Sequence, residues 1–397
     1  IFGVNTYKHS VKLIRSRSFQ VWIQSFLIAG HICNMLGLTN SNIISFSGGK
    51  FLLLLPNTKV LNDVVERTRF EVDSLCLSEY SGEIAYIISE GVRCSKKELE
   101  ADNNSIIQRQ MRLDSGNAKQ KKLQSGINNS KERAVLTRQY ESLMAAGNVC
   151  VACESNPVDD DSDFCKGCGY LIELGRLLNK QGYDIYLNFD IISNLKDTVR
   201  IRKPSELNSP WKGFSISHYV PGMARISMPY YVPVDEKSED VKTFEDLSLL
   251  SSGVHKLAMF KADVDYLGLI FSSSLKDKWS LARYASLSSS FHFYFSEYLV
   301  SKVKREYRNL YVVFSGGDDV CIIGPWNEIM NFADEFNEDF HSFSANNPSL
   351  SVSAGIVMFS PHDPISVVAD EAEEALEASK KEKDKNSISL FSRTVSW

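Results

Sequence analysis

Asp318 and Asp319 follow two glycines, Gly316 and Gly317, between the apolar runs Tyr311-Val312-Val313-Phe314 and Val320-Cys321-Ile322-Ile323. Two such runs joined by a glycine-containing turn predict a β-hairpin with the acids at its bend. Adjacent carboxylates repel, and an oxygen-seeking divalent cation relieves the repulsion. Glycine lets a phosphate approach the backbone, because no side chain stands in the way. Asp is also a common turn residue, so the pair alone reads as turn chemistry. A second acidic pair turns it into a candidate site. Asp263 and Asp265 end the run Leu257-Ala258-Met259-Phe260, with a helix-length segment between them and the hairpin. Asp263, Asp318 and Asp319 together have the composition of a site for two Mg²⁺ or Mn²⁺ ions acting on a nucleoside triphosphate in an in-line displacement. Asp265 reads equally as a ligand or as a cap.

Tyr266-Leu267-Gly268 follows, a turn whose backbone amides, at Gly268 above all, could cradle phosphate oxygens. Lys380 and Lys385 could neutralise the remaining charge. They lie in a stretch with Lys381 and Lys383 that also reads as a solvated charge run.

The elements needed to position these groups occur twice. Leu281, Tyr284, Leu287, Phe291, Phe295, Leu299 and Val303 recur at helical spacing ahead of the acidic hairpin. A helix over 328–343, a strand over 350–358, a helix over 367–381 and a strand around 388–391 are expected after it. Near the N-terminus, Ile43-Ile44-Ser45-Phe46-Ser47-Gly48-Gly49-Lys50 and Phe51-Leu52-Leu53-Leu54-Leu55-Pro56 repeat the strand, Phe-Ser-Gly-Gly turn, strand and proline stop. A short strand at 1–4 and the helical stripe of Phe19, Trp22, Phe26, Ile32 and Leu36 precede it. A helix over 60–77 and a strand over 84–88 come after it. Each copy reads βαββαβ, the ferredoxin-like unit with its helices on one sheet face. With the two repeats aligned, Lys50 and Phe51 replace the two aspartates, and residues 1–10 hold no acid. The first copy is therefore expected to be catalytically silent. Its Ser47, Gly48 and Gly49 either accept a second nucleotide or brace the active copy.

Between the copies lie Cys150-x-x-Cys153 and Cys165-x-x-Cys168, eleven residues apart. Four thiolates in two tight pairs suit one tetrahedral, structural Zn²⁺. Asp159, Asp160, Asp161 and Asp163 on the intervening loop read as solvated charge, and the basic cluster Lys8, Lys12, Arg15 and Arg17 reads equally as a local basic groove or as a solvated helix start. A loop around 232–237 is expected at the surface. His362-Asp363 lies between two prolines and reads as a loop pair, not a phosphohydrolase centre.

The expected class is α+β, two ferredoxin-like palms with an intervening zinc-binding and helical domain. The boundaries are 1–95 for the first palm, 96–180 for the helical linker and zinc domain, 181–255 for a connecting segment, and 256–397 for the second palm. The 397 residues are 43% hydrophobic and 23% charged, ordinary for a globular protein. No apolar run reaches the ~18 residues that span a bilayer. The net charge of -5 argues against a general nucleic-acid coat. Eight cysteines, four of them scattered among apolar neighbours, fit a reducing cytoplasm. The absence of an initiator Met reads as an excised fragment.

The ordered combination resembles the large subunit of type III CRISPR effector complexes, in its Csm (III-A) form. It comprises Gly316-Gly317-Asp318-Asp319, Asp263-Val264-Asp265-Tyr266-Leu267-Gly268, the preceding four-cysteine block, and a first palm carrying Leu13-Ile14-Arg15-Ser16-Arg17-Ser18-Phe19 and Phe46-Ser47-Gly48-Gly49. Glu173-Leu174-Gly175-Arg176-Leu177-Leu178 is similar to the segment after that family's zinc block. The resemblance implies a nucleotidyltransferase that makes cyclic oligoadenylates from ATP when the guide-RNA complex captures target RNA. Asp318, Asp319 and Asp263 would hold the metals, and ATP would lie between the palms near Ser47, Gly48 and Gly49. It implies guide RNA and other Csm subunits as partners. The family's HD nuclease and C-terminal helical domains are not evident, so DNA cleavage is not expected of this chain. A diguanylate cyclase shares the Gly-Gly-acid-acid palm, but Val320 follows the acids here where that family shows Glu-Phe. A non-catalytic RNA scaffold is the other alternative.

Overall fold

The computed structural model describes residues 1–99, 104–129, 141, 145, 148–158, 161–178, 183–203, 211–215, 224–225, 228–235, 237–238, 240–273, 280–383 and 385–397. In the N-terminal part, helix α1 (Ser10–Met35) leads to the hairpin β1 (Ile43–Ser47) and β2 (Lys50–Leu53), then to α2 (Lys59–Tyr80). The two outer strands expected of this copy do not form. Residues 1–4 and 84–88 are held by other contacts: Val4 is buried and Asn5 N donates to Ala152 O, while Arg69 Nε of α2 donates to Ile88 O at 3.1 Å. Side-chain burial thus replaces ladder pairing, and the copy keeps helix, hairpin and helix.

Helix α3 (Asn104–Gln120) belongs to the expected helical linker, and α4 (Lys166–Leu177) starts within the cysteine block, carrying Cys168 in its first turn. Gly175 of α4 lies against the backbone of α1, where a Cβ would fall 2.5 Å from Lys12 O. Only glycine allows that approach. Strands β3 (Asp184–Leu187), β4 (Val199–Arg202), β5 (Lys212–Ser215) and β6 (Ala224–Arg225) form a sheet of order β4-β3-β5-β6. Ile185, Leu187, Val199 and Phe214 of this sheet pack with Phe19, Trp22, Ile23 and Leu27 of α1.

The C-terminal part is a complete palm. Its elements are β7 (Leu257–Val264), α5 (Leu267–Ser273), α6 (Leu281–Phe293), a π-helical stretch Tyr294–Leu299, α7 (Val300–Glu306), β8 (Tyr311–Gly316), β9 (Asp319–Pro325), α8 (Trp326–Phe343), β10 (Val352–Phe359), α9 (Ile365–Lys381), β11 (Ser387–Leu390) and β12 (Arg393–Ser396). The sheet runs β12-β11-β10-β7-β9-β8. The strands β10-β7-β9-β8 are antiparallel in ferredoxin-like order, and β11 is added parallel to β10.

Successive residues of a strand point to opposite faces, and β7 is apolar on both. Ala258, Phe260, Ala262 and Val264 face α6, the π stretch and α8. There Phe260 meets Phe332 and Phe336 edge-on at 5.5 and 5.3 Å. Leu257 and Met259 face the other way, against Ile365, Val368 and Ala372 of α9 and Val11, Leu13 and Ile14 of α1. The first two helices of the palm share one face, as expected. The added helix α9 joins the N-terminal copy on the opposite face, which makes the copies one packed unit.

Of the 232–237 loop expected at the surface, Val234, Asp235 and Lys237 are exposed, while its start is held inside. Val232 is buried, and Tyr231 exchanges backbone hydrogen bonds with Val312, covering the outer edge of β8. The N-terminal basic cluster is not a solvated helix start either. Arg15 is buried between Tyr230 and Tyr311 and donates to Leu178 O at 3.0 Å, Lys12 pairs with Asp240, and Arg17 donates to Gly3 O.

Candidate active site

The hairpin register decides where the acids stand. Gly316 pairs with Asp319, so Gly317 and Asp318 form a two-residue loop. Gly317 has φ +78, and Asp318 is not among the positive-φ residues. This is the pattern of a type II′ turn, which needs glycine only at its first position. On its other side β9 pairs with β7, and Asp319 lies directly opposite Asp263. Residues opposed across an antiparallel pair put their side chains on one face about 4.5–5.5 Å apart. Val264 N donates to Asp318 O at 2.9 Å, which pins the bend to the end of β7.

Burial dominates the electrostatics. The Asp319 carboxyl is pushed up to about 7, first by burial and then by Asp318 and Asp263, while Lys50 and Lys261 pull it down. Asp263 is also raised by burial, against the opposing pull of Lys380, whose Nζ stands 3.1 Å from Oδ1. Two neighbouring carboxyls held above their ordinary range are a pair that gains by binding a cation. Among the described residues, the four cysteines are the only group of three or more such side chains whose ligand atoms all lie within 4.8 Å of one another, so the three carboxylates do not converge that closely.

Asp265 resolves into a structural role. It is fully buried, and its carboxylate accepts from Ser351 Oγ at 2.7 Å, Ser353 Oγ at 2.8 Å and Asn386 N at 3.0 Å. It ties the end of β7 to β10 and to the residue before β11. Gly268 lies in the first turn of α5 with open space where a side chain would be. The amides of Leu269 and Ile270 turn back onto Tyr266 O at 2.8 and 2.9 Å. The two lysines part company. Lys380 reaches Asp263, whereas the Lys385 ammonium sits 4.0 Å from the ring centre of exposed Tyr266.

Directly opposite the acidic bend stands the first copy's turn. A Cβ on Gly48 would lie 3.3 Å from Gly316 O and 3.9 Å from Asp319 Oδ1, and one on Gly317 would lie 3.1 Å from Ser47 Oγ. Ser47 and Gly48 therefore stand against Gly316 and Gly317, whereas Gly49 faces Val21 and Ser25 of α1. Sequence reasoning missed three residues here: Lys261, which pairs with Glu373 on the Asp263 face, and His292 and Ser296 beneath the two turns. Their positions carry no motif, since each lies within an ordinary strand or helix.

The cysteine block has its own geometry. Cys165 caps α4, accepting from Cys168 N, and Asn156 Nδ2 donates to Cys153 Sγ at 3.6 Å. Four thiols on two short turns, gathered within 4.8 Å, form the donor set of a tetrahedral zinc site. The block packs against Val4, Leu13 and Ile14, so it braces the joint between the two copies. Asp163 pairs with exposed Lys8, and Asp159 and Asp160 lie outside the described residues. His362 pairs with Glu245, and Asp363 accepts from Ser360 N, as a loop pair should.

The sheet order, the acid pair across β7 and β9, and the glycine bend define a palm of the polymerase and cyclase class. The comparisons narrow this further. Residues 256–389 match the second palm domain of Cas10/Cmr2, and residues 1–138 match domain B of the Csm1 subunit. A subtype III-A protein of Methanocaldococcus jannaschii, named CRISPR system single-strand-specific deoxyribonuclease Cas10/Csm1, is 24% identical over 470 residues, covering 100% of this chain and 58% of its own length. Its namesake from Enterococcus italicus is 24% identical and covered over 53%. The chain thus spans little more than half of these curated relatives. Among solved structures, a Csm1–Csm4 cassette in complex with AMPPNP superimposes with a TM-score of 0.77 at 21% identity, over 98% of this chain and 52% of that one. A cassette with one ATP gives 0.76 at 22% identity, over 95% and 51%. The chain is a homologue of the Cas10/Csm1 subunits of type III-A CRISPR systems, as the sequence motifs indicated. Among the described residues, no helix is long and apolar enough to cross a membrane.

Proposed function

We propose that the cleft between the two glycine turns is a nucleotidyltransferase centre that joins ATP into cyclic oligoadenylates within an RNA-guided type III CRISPR complex. The observation that carries this reading is the pairing of Asp263 with Asp319, opposed on one sheet face beside the Asp318 bend, with the first copy's turn across the cleft. Asp263, Asp318 and Asp319 are the residues that would hold divalent cations, Mg²⁺ or Mn²⁺. Such cations, when bound, supply positive charge for triphosphate oxygens and for an attacking 3′-hydroxyl.

This chain's own groups do the rest. Gly316 and Gly317 keep side chains out of the path of the phosphates, and Lys380 and Lys385 stand near the open end of β7 and α5 to meet their charge. Ser47, Gly48 and Gly49 would bound the second nucleotide. Placing two nucleotides in one cleft converts a bimolecular transfer into one between neighbours. Solved Csm1–Csm4 cassettes have been crystallised in complex with cA3 and with cA4, which supports this product class for the fold. A Csm4-type partner, guide RNA and target RNA follow from the same kinship, as does a cytoplasmic setting. Zn²⁺ on Cys150, Cys153, Cys165 and Cys168 is proposed as structural. The nuclease activity in the relatives' names stays with those proteins.

The test is mass spectrometry of nucleotides formed by the chain, assembled with its Csm-type partners and target RNA, from ATP or GTP with Mg²⁺ or Mn²⁺. Cyclic oligoadenylate from ATP, lost in the Asp318→Ala/Asp319→Ala variant, is the expected result. Cyclic diguanylate from GTP would reassign the enzyme, and no product from either would leave a scaffold subunit.

A further inference from the structure

Beneath the cleft, one imidazole touches both halves of the protein. His292, near the end of α6, places Nδ1 3.3 Å from Ser47 Oγ in the first copy's turn and 3.2 Å from Ser296 Oγ in the π-helical stretch. Ser296 Oγ also donates to Ser315 O at 3.2 Å, and Ser315 Oγ donates to Phe295 O at 2.7 Å. Ser315 directly precedes Gly316-Gly317. A continuous chain of hydrogen bonds therefore runs from the first turn, through His292 and Ser296, to the base of the acidic turn.

The π-helical stretch makes this path possible. A π turn inserts an extra residue into the helical ladder and rotates the downstream turns of the helix, and such insertions recur at functional sites. Here Phe295 and Ser296 both lean on β8, Phe295 through its carbonyl and Ser296 through its hydroxyl. A serine has one hydroxyl hydrogen, and with Ser296 giving its own to Ser315 O the arrangement favours a hydrogen on Nδ1 directed toward Ser296. The tautomer is then Nδ1–H, with Ser47 Oγ sharing the donor. Burial holds the His292 pKa below its ordinary value, opposed by Glu297, in keeping with a neutral ring.

We propose that His292 is a positioning residue that locks the first copy's turn to the acidic turn, holding two nucleotides in register for transfer from one to the other. This rests on the reading that each turn serves one nucleotide. Through this contact the Ser47 side chain is hydrogen-bonded to the second palm, at the place where Gly317 and Ser47 are nearly in van der Waals contact. Without it, the turns would keep their separate folds but lose their mutual alignment.

Two measurements test the lock. In the ¹⁵N-histidine-labelled chain, His292 should show the neutral Nδ1–H tautomer, and Ser47→Ala should shift its ring resonances. In the assembled complex, His292→Leu should lower kcat by about 10–100-fold, the scale of a misplacement near 1 Å, with KM for ATP within about twofold. His292→Asn, whose amide nitrogen stands the same number of bonds from Cα as Nδ1, should recover most of that loss. Ser47→Ala combined with His292→Leu should be no slower than His292→Leu alone, as expected for two partners in one contact. An Nε2–H tautomer, resonances indifferent to Ser47→Ala, or an unchanged rate in His292→Leu would each overturn the proposal. If His292→Leu fails to fold, Ser47→Ala interrogates the same contact from a half-buried turn position. If the unmodified complex makes no product, the functional reading fails, and the resonance measurement still decides whether the lock exists.

Discussion

The two glycine turns face each other across one cleft, yet they are built differently. In the first, Ser47 pairs with Lys50, and both loop residues, Gly48 and Gly49, have positive φ, at +54 and +76. That is a type I′ pattern, which excludes an ordinary side chain from either position. In the second, the loop is Gly317-Asp318, and only Gly317 needs positive φ. The Phe-Ser-Gly-Gly repeat is therefore offset by one residue between the hairpins. By sequence, Lys50 aligns with Asp318. By register, Lys50 occupies the place of Asp319, and Gly49 that of Asp318. A shift of one residue exchanges the faces of a strand, so the offset gives the second turn room for an acid in the loop and another on the ladder. On the proposed reading, the first copy is kept from catalysis by turn type as well as by residue identity. It supplies in exchange a cation whose charge acts on Asp319.

The largest effect that would sharpen this contrast is on catalysis. Asp319→Asn should lower product formation by about 10³-fold or more, since metal ligation contributes several kcal/mol and each 1.4 kcal/mol is tenfold. Lys50→Ala, at the equivalent place in the other turn, should cost no more than about tenfold by the same conversion. Equal losses in rate assays would break the distinction between an active and a supporting turn.

Backbone strain comes next. Gly317→Ala puts a side chain at φ +78 and 3.1 Å from Ser47 Oγ, and should destabilise by about 1–3 kcal/mol in denaturant titration. Gly49→Ala, at φ +76 with its nearest neighbour 3.4 Å away, should cost about 1 kcal/mol. A reversed order would mean that the turns are not in contact in solution.

Titration separates the turns too. In chelator-treated protein, the Asp319 carboxyl lies near 7 in the fold against an ordinary 3.8. The folded state then binds the extra proton, so stability is fullest below about pH 4 and is lost as pH rises toward about 7. Asp319→Asn should reduce that slope in thermal melts between these pH values, leaving the part due to Asp263, and Lys50→Ala should deepen it. A flat profile in the unmodified protein would contradict the burial of Asp319.

The smallest expected difference is in amide exchange. The first hairpin is a two-stranded pair, whereas β7 lies inside six strands between two cores. Amides of β1 and β2 should exchange through local opening, and those of β7 only through global unfolding.

Much of this was legible without coordinates. The helical stripe from Leu281 to Val303, the apolar run of β7 and the cysteine spacing are local patterns, and local patterns survive in sequence. The outer strands of the first copy were misread because 1–4 and 84–88 are apolar for a different reason: Val4 is buried against the zinc block and Ile88 against α2, without strand pairing. Asp265 was ambiguous because a cap and a ligand require the same side chain. Only Ser351, Ser353 and Asn386, 86 or more positions away, separate the two. His292 gave no signal, since its partners lie 245 residues upstream and four downstream.

The sequence by itself determined the acids, the glycines that make room for phosphate, the four thiols and the order of the palm's elements. Residue type and near-neighbour spacing are sufficient for each of these. The tertiary structure decided which acid stands opposite which, which lysine reaches the carboxylates, and that a second turn closes the cleft. Those depend on strand register and on the packing of one sheet face against a distant helix, where a single residue of offset changes the outcome and leaves no mark on the local pattern.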